Sequence, residues 1–219
     1  MRIVITAGPT REHLDPVRFL SNPSTGKMGF AIARAAAARG HRVTLVAGPV
    51  TLRTPPGVKR VDVVSAREML SAAKREMDAG AEALVAVAAV ADWRPRRTAR
   101  HKLHKHEMAA TLALVRNPDI LKTLSARRYR APRPVFVGFA AETRAAVASA
   151  AAKCRPKRLD LVVANDVTQP GAGFAADTNR VTLVRPDGSD EAWPLMTKLA
   201  LARRLVLEVE RLGARREKV

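Results

Sequence analysis

A chain of 219 residues, 47% of them apolar, can build one large globular domain with little left for a second, which excludes pervasive disorder. Cys154 is the sole cysteine, so an internal disulfide and a cysteine-rich zinc site are both excluded. The 39 basic against 20 acidic side chains, a net charge of +19, favour anionic partners such as nucleic acid, a membrane surface or small phosphorylated molecules.

RIVITAG (2–8) is an apolar run closed by Gly-Pro and predicts a first strand. Residues 26–39 predict a helix stopped by Gly40. HRVTLVAGPV (41–50) predicts a second strand, again closed by Gly-Pro, and AREMLSAAKREMDA (66–79) a second helix. ALVAVAAVA (83–91) is the longest apolar run; it reads as a strand and is too short to span a bilayer. No signal-peptide h-region occupies residues 1–15, so a cytoplasmic location is expected. Strands at 111–115 and 134–140, helices from Pro118 and over 143–154, and a strand at 160–166 follow. A hairpin over 180–195, turned by Pro-Asp-Gly, precedes a closing helix from about Met196. Strand–helix–strand alternation calls for right-handed crossovers in a parallel sheet. The expected architecture is a single α/β domain over residues 1–219, a three-layer Rossmann-like fold with a mostly parallel central sheet.

The first strand lacks the G-x-G-x-x-G that lets a backbone approach a pyrophosphate, since the next glycines come only at 26 and 29. Gly26-Lys27-Met28 also fails the P-loop pattern. What stands at the mouth of the first helix is SNPSTGK (21–27). The unpartnered NH groups of a helix start, its dipole and Lys27 would together attract an anion. Ordinary capping by Ser24 or Thr25, with Lys27 solvated, accounts for the same residues. Asn22 precedes proline, which favours extended backbone and leaves its amide to donate and accept beside that turn.

RPRRTARHKLHKHE (94–107) gathers Arg94, Arg96, Arg97, Arg100, Lys102 and Lys105 with three histidines. A metal site, a nucleic-acid arm and a mobile strap over a triphosphate all fit that composition, although the metal reading lacks a carboxylate or cysteine at conventional spacing. The low aromatic content, 4%, leaves little to stack on single-stranded bases, so nucleic acid is disfavoured. Asp92 ends an apolar strand, as either a cap or a ligand-contacting carboxylate. Asn117-Pro118-Asp119 is plain helix-start chemistry. Phe139 by itself reads as core.

The strings ITAGPTREHLDPVRFLSNPSTGKMGFAIA (5–33), VTLVAGPV (43–50), AAVADWRP (88–95), HKLHKH, NPDIL (117–121), VGFAAET (137–143) and LVVANDV (161–167) occur in one order. In that order the chain resembles the phosphopantothenate–cysteine ligase family of coenzyme A biosynthesis. The resemblance implies activation of the 4′-phosphopantothenate carboxylate by a nucleoside triphosphate with Mg2+, CTP in bacteria and ATP in eukaryotes. An acyl-nucleotidylate forms, and attack by L-cysteine gives the amide. The bacterial character of the segments favours CTP. Carried over by position, Asn22 acts on the acyl-nucleotidylate, and Ser24, Thr25, Gly26 and Lys27 lie near the phosphopantothenate. Lys102 aligns with the first lysine of the family's K-I-K-K strap, on the triphosphate. Asp92, Pro118, Asp119, Ile120, Leu121, Phe139, Lys153 and Lys157 match nucleotide-contacting positions, with Ala88 lining the same pocket.

Four positions depart from the family pattern. The strap reads K-L-H-K, so His104 replaces a fixed charge; Trp93 stands where tyrosine is common; Pro23 and Thr25 vary the Asn-x-Ser-Ser turn. The chain starts directly at the ligase strand, so a stand-alone ligase or a separately expressed domain is expected, binding no flavin and working beside a separate decarboxylase. The resemblance also implies a homodimer. Two competing readings are a basic nucleic-acid-binding module, with a steep salt dependence and no need of Asn22, and a Rossmann-type dehydrogenase, which the missing fingerprint disfavours.

Overall fold

The computed structural model describes residues 1–107, 111–130 and 132–216. In chain order these form β1 (Arg2–Ala7), β2 (Arg11–His13), β3 (Phe19–Ser21), α1 (Lys27–Ala38), β4 (Arg42–Ala47), β5 (Val58–Asp62), α2 (Ala66–Asp78) and β6 (Ala83–Ala86). They continue with β7 (Trp93–Pro95), β8 (Leu114–Arg116), α3 (Ile120–Ser125), β9 (Val135–Glu142), α4 (Ala146–Cys154), β10 (Leu161–Asp166), β11 (Thr178–Val184), β12 (Asp190–Thr197) and α5 (Lys198–Arg216). A short 3-10 turn spans Lys105–Glu107.

Eight strands make one sheet in the order β12-β11-β10-β9-β6-β1-β4-β5, parallel from β10 to β5 and antiparallel at β11 and β12. Parallel strands covered on both faces read as unbroken apolar runs, which is why RIVITA carries no polar alternation. Period two still decides which layer each side chain enters. Ile3, Ile5 and Ala7 face the core shared with α1 and α5, whereas Val4 joins Met69, Met77, Leu124 and Phe136 on the α2, α3 and α4 side. The architecture is therefore the expected three-layer, Rossmann-like α/β fold. In α2, Ser65 and Glu68 form a reciprocal capping box, and the buried Glu12 carboxylate accepts the Ala66 NH, docking β2 onto the helix start.

Several elements differ from the sequence expectation for local reasons. The 83–91 strand ends at Ala86 because the following backbone peels onto the turn after β1: Ala88 N donates to Thr6 Oγ1, and Ala89 N to Gly8 O. Residues 114–116 leave the main sheet and pair with 93–95 as a two-stranded ribbon. β5, VKRVD, is an edge strand whose three charges hide it from an apolar-run reading. α4 starts at Ala146, three residues late, after Ala145 adopts φ 44. The Pro-Asp-Gly turn stands as expected, with Gly188 at φ 94.

Cys154 is buried at the end of α4, 1% exposed, with its Sγ against the carbonyls of Leu159 and Val184. Burial pushes the thiol up to about 11, so thiolate is scarce at neutral pH. Alkylation by iodoacetamide at pH 8 should run at least ~100-fold slower in the folded protein than in urea, read by mass spectrometry. Equal rates would place Cys154 at the surface.

Candidate active site

The order of the sheet reverses between β1 and β6. From β1 the chain builds outward through β4 and β5, then returns to β6 on the other flank. Open α/β sheets bind ligands outside the carboxyl ends of the strands at such a switch point. Here the crevice is bridged by a parallel contact between Pro9 and Ala89, with Thr10 N donating to Ala89 O at 3.3 Å. The same Ala89 carbonyl accepts the Asn22 amide, Nδ2 at 3.1 Å. Asn22 is thus pinned at the switch point, beside Ala88.

Five residues on, the chain enters α1. The expected Ser24 or Thr25 cap is replaced by Gly26, which takes φ 78 at the N-cap position and provides no side-chain hydrogen bond. A Cβ on Gly26 would lie 3.2 Å from Val50 Cγ1 and 3.5 Å from Gly8, so the turn sits directly on the end of β1. Gly29 lets α1 approach just as closely, since its Cβ would meet that of Ala7 at 2.5 Å. Ser24 Oγ instead accepts the Gly26 NH at 3.4 Å, and Thr25 Oγ1 donates to Phe174 O at 3.0 Å.

Lys27 is engaged as well, donating to Ala175 O at 2.8 Å and to Asp177 Oδ1 at 2.7 Å. Its ammonium holds the Asp177 carboxyl below the usual range. A second ammonium, Lys198 at the start of α5, is buried and donates to the carbonyls of Gly173, Phe174 and Ala176. Burial, and then repulsion from Lys27, lower its pKa. The two lysines fasten the 173–177 loop over the Ser24–Lys27 turn. Between them lies a recess of about 60 Å³, also lined by Phe139, Asn165 and Asn179. Asn165 donates to Ala172 O at 3.1 Å, and among the described residues its Oδ1 has no hydrogen-bond partner. Lys198 and Asn165 escape a sequence reading because one lysine among many cations, and one amide at a strand end, carry no pattern of their own.

Most of the remaining expected site residues gather around α3 and α4, on the other side of the sheet. Asp119 caps α3 by accepting the Lys122 NH at 2.9 Å and pairs with Lys157 Nζ at 2.7 Å. Lys153 pairs with Glu142, which also accepts from Ser149 at 2.7 Å; the lysine and then the serine hold that carboxyl below its ordinary range. Pro118 is half-buried and Ile120 is core. Leu121 lies 3.0 Å from where a Gly138 Cβ would stand. Phe139, the next residue of β9, is half-buried on the opposite face and lines the α1 recess. Asn117 stitches this group to the strap: Nδ2 donates to Ala91 O at 2.8 Å, and Arg94 Nη1 donates to Asn117 Oδ1 at 3.0 Å. Asp92 and Lys102 are exposed.

The structure brings Ser24, Thr25, Gly26, Lys27 and Phe139 together around the recess at the start of α1, and holds Asn22 on the Ala89 carbonyl. It gathers Pro118, Asp119, Ile120, Leu121 and Lys157 around α3, where Ala88 packs against the same core as Leu121. Lys153 lies with Glu142 at the end of β9. The first group surrounds the start of α1 and the second the α3 side of the sheet, and adjacent residues of β9, Gly138 and Phe139, border the two. No cluster of three metal-ligating side chains occurs among the described residues. No helix among them is long and apolar enough to cross a membrane.

The sequence pattern of the family described as DNA/pantothenate metabolism flavoprotein C-terminal domain matches residues 1–212. Similar relatives include the coenzyme A biosynthesis bifunctional protein CoaBC of Escherichia coli K12, 48% identical over 212 residues covering 95% of this chain and 51% of that protein. The CoaBC of Bacillus subtilis 168 is 46% identical, covering 96% and 51%. The chain spans about half the length of these curated relatives. Among solved structures, the C-terminal domain of a CoaBC protein superposes with TM-score 0.80 at 40% identity, covering 96% of this chain and 94% of that one. A Cab2 mutant in complex with phosphopantothenate-cysteine, 16% identical with TM-score 0.74 and covering 98% and 86%, shares the fold. On this match of sequence over nearly its whole length and of structure at the same sheet, the chain belongs to the DNA/pantothenate metabolism flavoprotein C-terminal domain family.

Proposed function

We propose that the chain is a cytoplasmic ligase of coenzyme A biosynthesis, joining 4′-phosphopantothenate to L-cysteine through an acyl-nucleotidylate, with CTP favoured over ATP. The observation that carries this reading is the seating of Asn22 on Ala89 O beside the uncapped start of α1, at the switch point of the sheet. The naming of the CoaBC relatives, and the phosphopantothenate-cysteine bound by a protein of the same fold, support it.

In the first half-reaction a substrate carboxylate oxygen attacks the α-phosphorus of the nucleotide and pyrophosphate leaves. A carboxylate is a poor electrophile, and nucleotidylation gives its carbon a leaving group. The charge gathered on the phosphates calls for fixed cations, and the strap supplies Lys102 with Arg96, Arg97 and Arg100. In the second half-reaction the amine of cysteine attacks the acyl carbon and the nucleoside monophosphate departs. The Asn22 amide, held on Ala89 O at the switch point, would hydrogen-bond the acyl carbonyl and the incoming amine. Magnesium would be held largely by the phosphate oxygens and water. Asp92 is the exposed carboxylate nearest in sequence to the crevice, and the ion would supply neutralisation of phosphate charge. Phe19, Trp93 and Leu114 stand exposed on the adjoining β2–β3 and β7–β8 ribbons, which supports a homodimer. Flavin chemistry is assigned to a decarboxylase, encoded with this domain in the relatives or supplied separately.

Purified protein should release pyrophosphate only when both 4′-phosphopantothenate and nucleotide are present, and should form amide only when cysteine is added. No pyrophosphate with either CTP or ATP would overturn the reading. Lys102→Gln should slow pyrophosphate release at saturating nucleotide about 10- to 100-fold, since a charge aimed at the transition state is lost while neighbouring arginines still bind. An unchanged rate would remove Lys102 from the reaction.

A further inference from the structure

One buried carboxylate has no role in the site described above. Asp15, between β2 and β3, has no exposed side-chain surface. Its Oδ1 accepts the NH groups of Val17 and Arg18, each at 2.8 Å. Its Oδ2 accepts Arg18 Nε at 2.9 Å and Nη2 at 2.5 Å, and the backbone NH of Leu103 at 3.3 Å. Arg18 Nη2 also donates to the carbonyl of Leu103 at 2.8 Å. The Asp15–Arg18 pair therefore receives the NH and supplies a donor to the C=O of one strap residue, as a neighbouring strand would. Two further contacts lie alongside: Thr98 Oγ1 donates to His13 O at 2.9 Å, and Ala99 N to Leu14 O at 2.8 Å. Between the anchors at 99 and 103 only Arg100, His101 and Lys102 are unfastened by these bonds, and all three are exposed.

We propose that Asp15, acting with Arg18, is a backbone clamp on the basic strap and a positioning residue for Lys102 in nucleotide binding; this rests on the ligase reading. An unclamped strap would sample many conformations and would have to be ordered at every binding event. The apparent affinity would then fall by the fraction of time the strap is in place. Once nucleotide has ordered the strap, the chemistry proceeds as before. The clamp reads only the peptide at 103, so it is indifferent to that side chain and requires its NH. Arginine 18 keeps the Asp15 carboxyl well below its ordinary range, so the clamp stays charged from neutral pH down through the usual carboxylate titration.

The test uses the full chain with Asp15→Asn, Leu103→Pro and Leu103→Ala. Tryptic cleavage after Arg100 and after Lys105 is followed by mass spectrometry, alongside the melting temperature and a CTP titration of pyrophosphate release. Asp15→Asn and Leu103→Pro should each be cleaved at least about tenfold faster than the parent, with KM for CTP raised about tenfold and kcat within about twofold. Leu103→Ala, which keeps the NH and the carbonyl, should match the parent in both. If Asp15→Asn fails to fold, Leu103→Pro carries the decision, because it leaves every other Asp15 bond intact. Parental cleavage rates in both variants would overturn the clamp. So would Leu103→Ala behaving like Leu103→Pro, or a loss of kcat without a change in KM. If the parent itself released no pyrophosphate, the ligase reading would fail, while the proteolysis would still decide whether the strap is clamped.

Discussion

Asn22→Asp should release pyrophosphate within a few-fold of the parent rate while amide formation falls about 10²- to 10³-fold, the scale of losing one oriented donor at a reacting oxygen. The Asn22 Nδ2 donates to Ala89 O at 3.1 Å, and a carboxylate cannot. Two oxygens would then face each other, and the new negative charge would lie beside an acyl group whose carbonyl gathers charge as cysteine attacks. On the proposed reading, nucleotide activation draws instead on the strap and on the lysines near α3 and α4, to none of which Asn22 is hydrogen-bonded. The acyl-nucleotidylate should therefore accumulate and be detectable by mass spectrometry after a burst of pyrophosphate close to one per site. Fold stability is a built-in control: losing one partly exposed hydrogen bond costs about 0.5–1.5 kcal/mol, a melting shift of a few degrees. Normal turnover, or equal loss of both half-reactions, would take Asn22 out of the second step.

The layers of this fold are legible in the sequence because each main-sheet strand of the buried core is an apolar run and α1 and α2 have clear boundaries. RIVITA and RVTLVA need no partner to be recognised. β5 and the two short ribbons are not legible, since their residues are charged or few and their pairing is decided by tertiary neighbours. At the site, SNPSTGK announces an anion-attracting helix start, but the residues that close it come from nearly 150 positions away. Lys198 and the 173–177 loop are ordinary in composition, and only the chain's return past α1 makes them part of the recess. Likewise, LDPVR does not advertise a clamp, because half of the clamp is a peptide group that every residue possesses. The resemblance assigns Lys153 and Lys157 to nucleotide contact, and nothing in their local sequence announces that each has a carboxylate partner. Both are engaged, with Glu142 and Asp119, so a nucleotide would have to share or displace those carboxylates.

The two Gly-Pro pairs, read from sequence as strand stops, are in fact one contact, and Gly48→Ala should be the most damaging single-methyl change in the molecule. A Cβ on Gly48 would stand 1.7 Å from the Pro9 carbonyl oxygen and 2.8 Å from its carbon. Both are backbone atoms, so no rotamer change relieves the clash. Gly48 is itself held by its NH on Ala7 O at 2.9 Å, which leaves the 8–10 turn as the part that must move. That turn carries the Ala89 NH on Gly8 O at 2.9 Å and the Pro9–Ala89 bridge, and Ala89 in turn carries Asn22. Overpacking a tight site costs about 1–3 kcal/mol, and more where backbone must shift. The displacement reaches a residue whose placement within about 1 Å matters for rate, where such misplacement costs about 100-fold. Calorimetry should show a lowered melting temperature, and the amide assay a loss at least as large as that of Asn22→Asp, this time with pyrophosphate release lowered too, because Ala88 moves with Ala89. Gly57→Ala is the matched comparison. Gly57 has φ 74 and nothing within 4 Å of a built Cβ, so it should show only the strain of a left-handed alanine, about 1 kcal/mol, with activity kept. If Gly48→Ala behaved like Gly57→Ala, the Pro9 turn would be compliant, and the chain of contacts from Gly48 to Asn22 would not position the site.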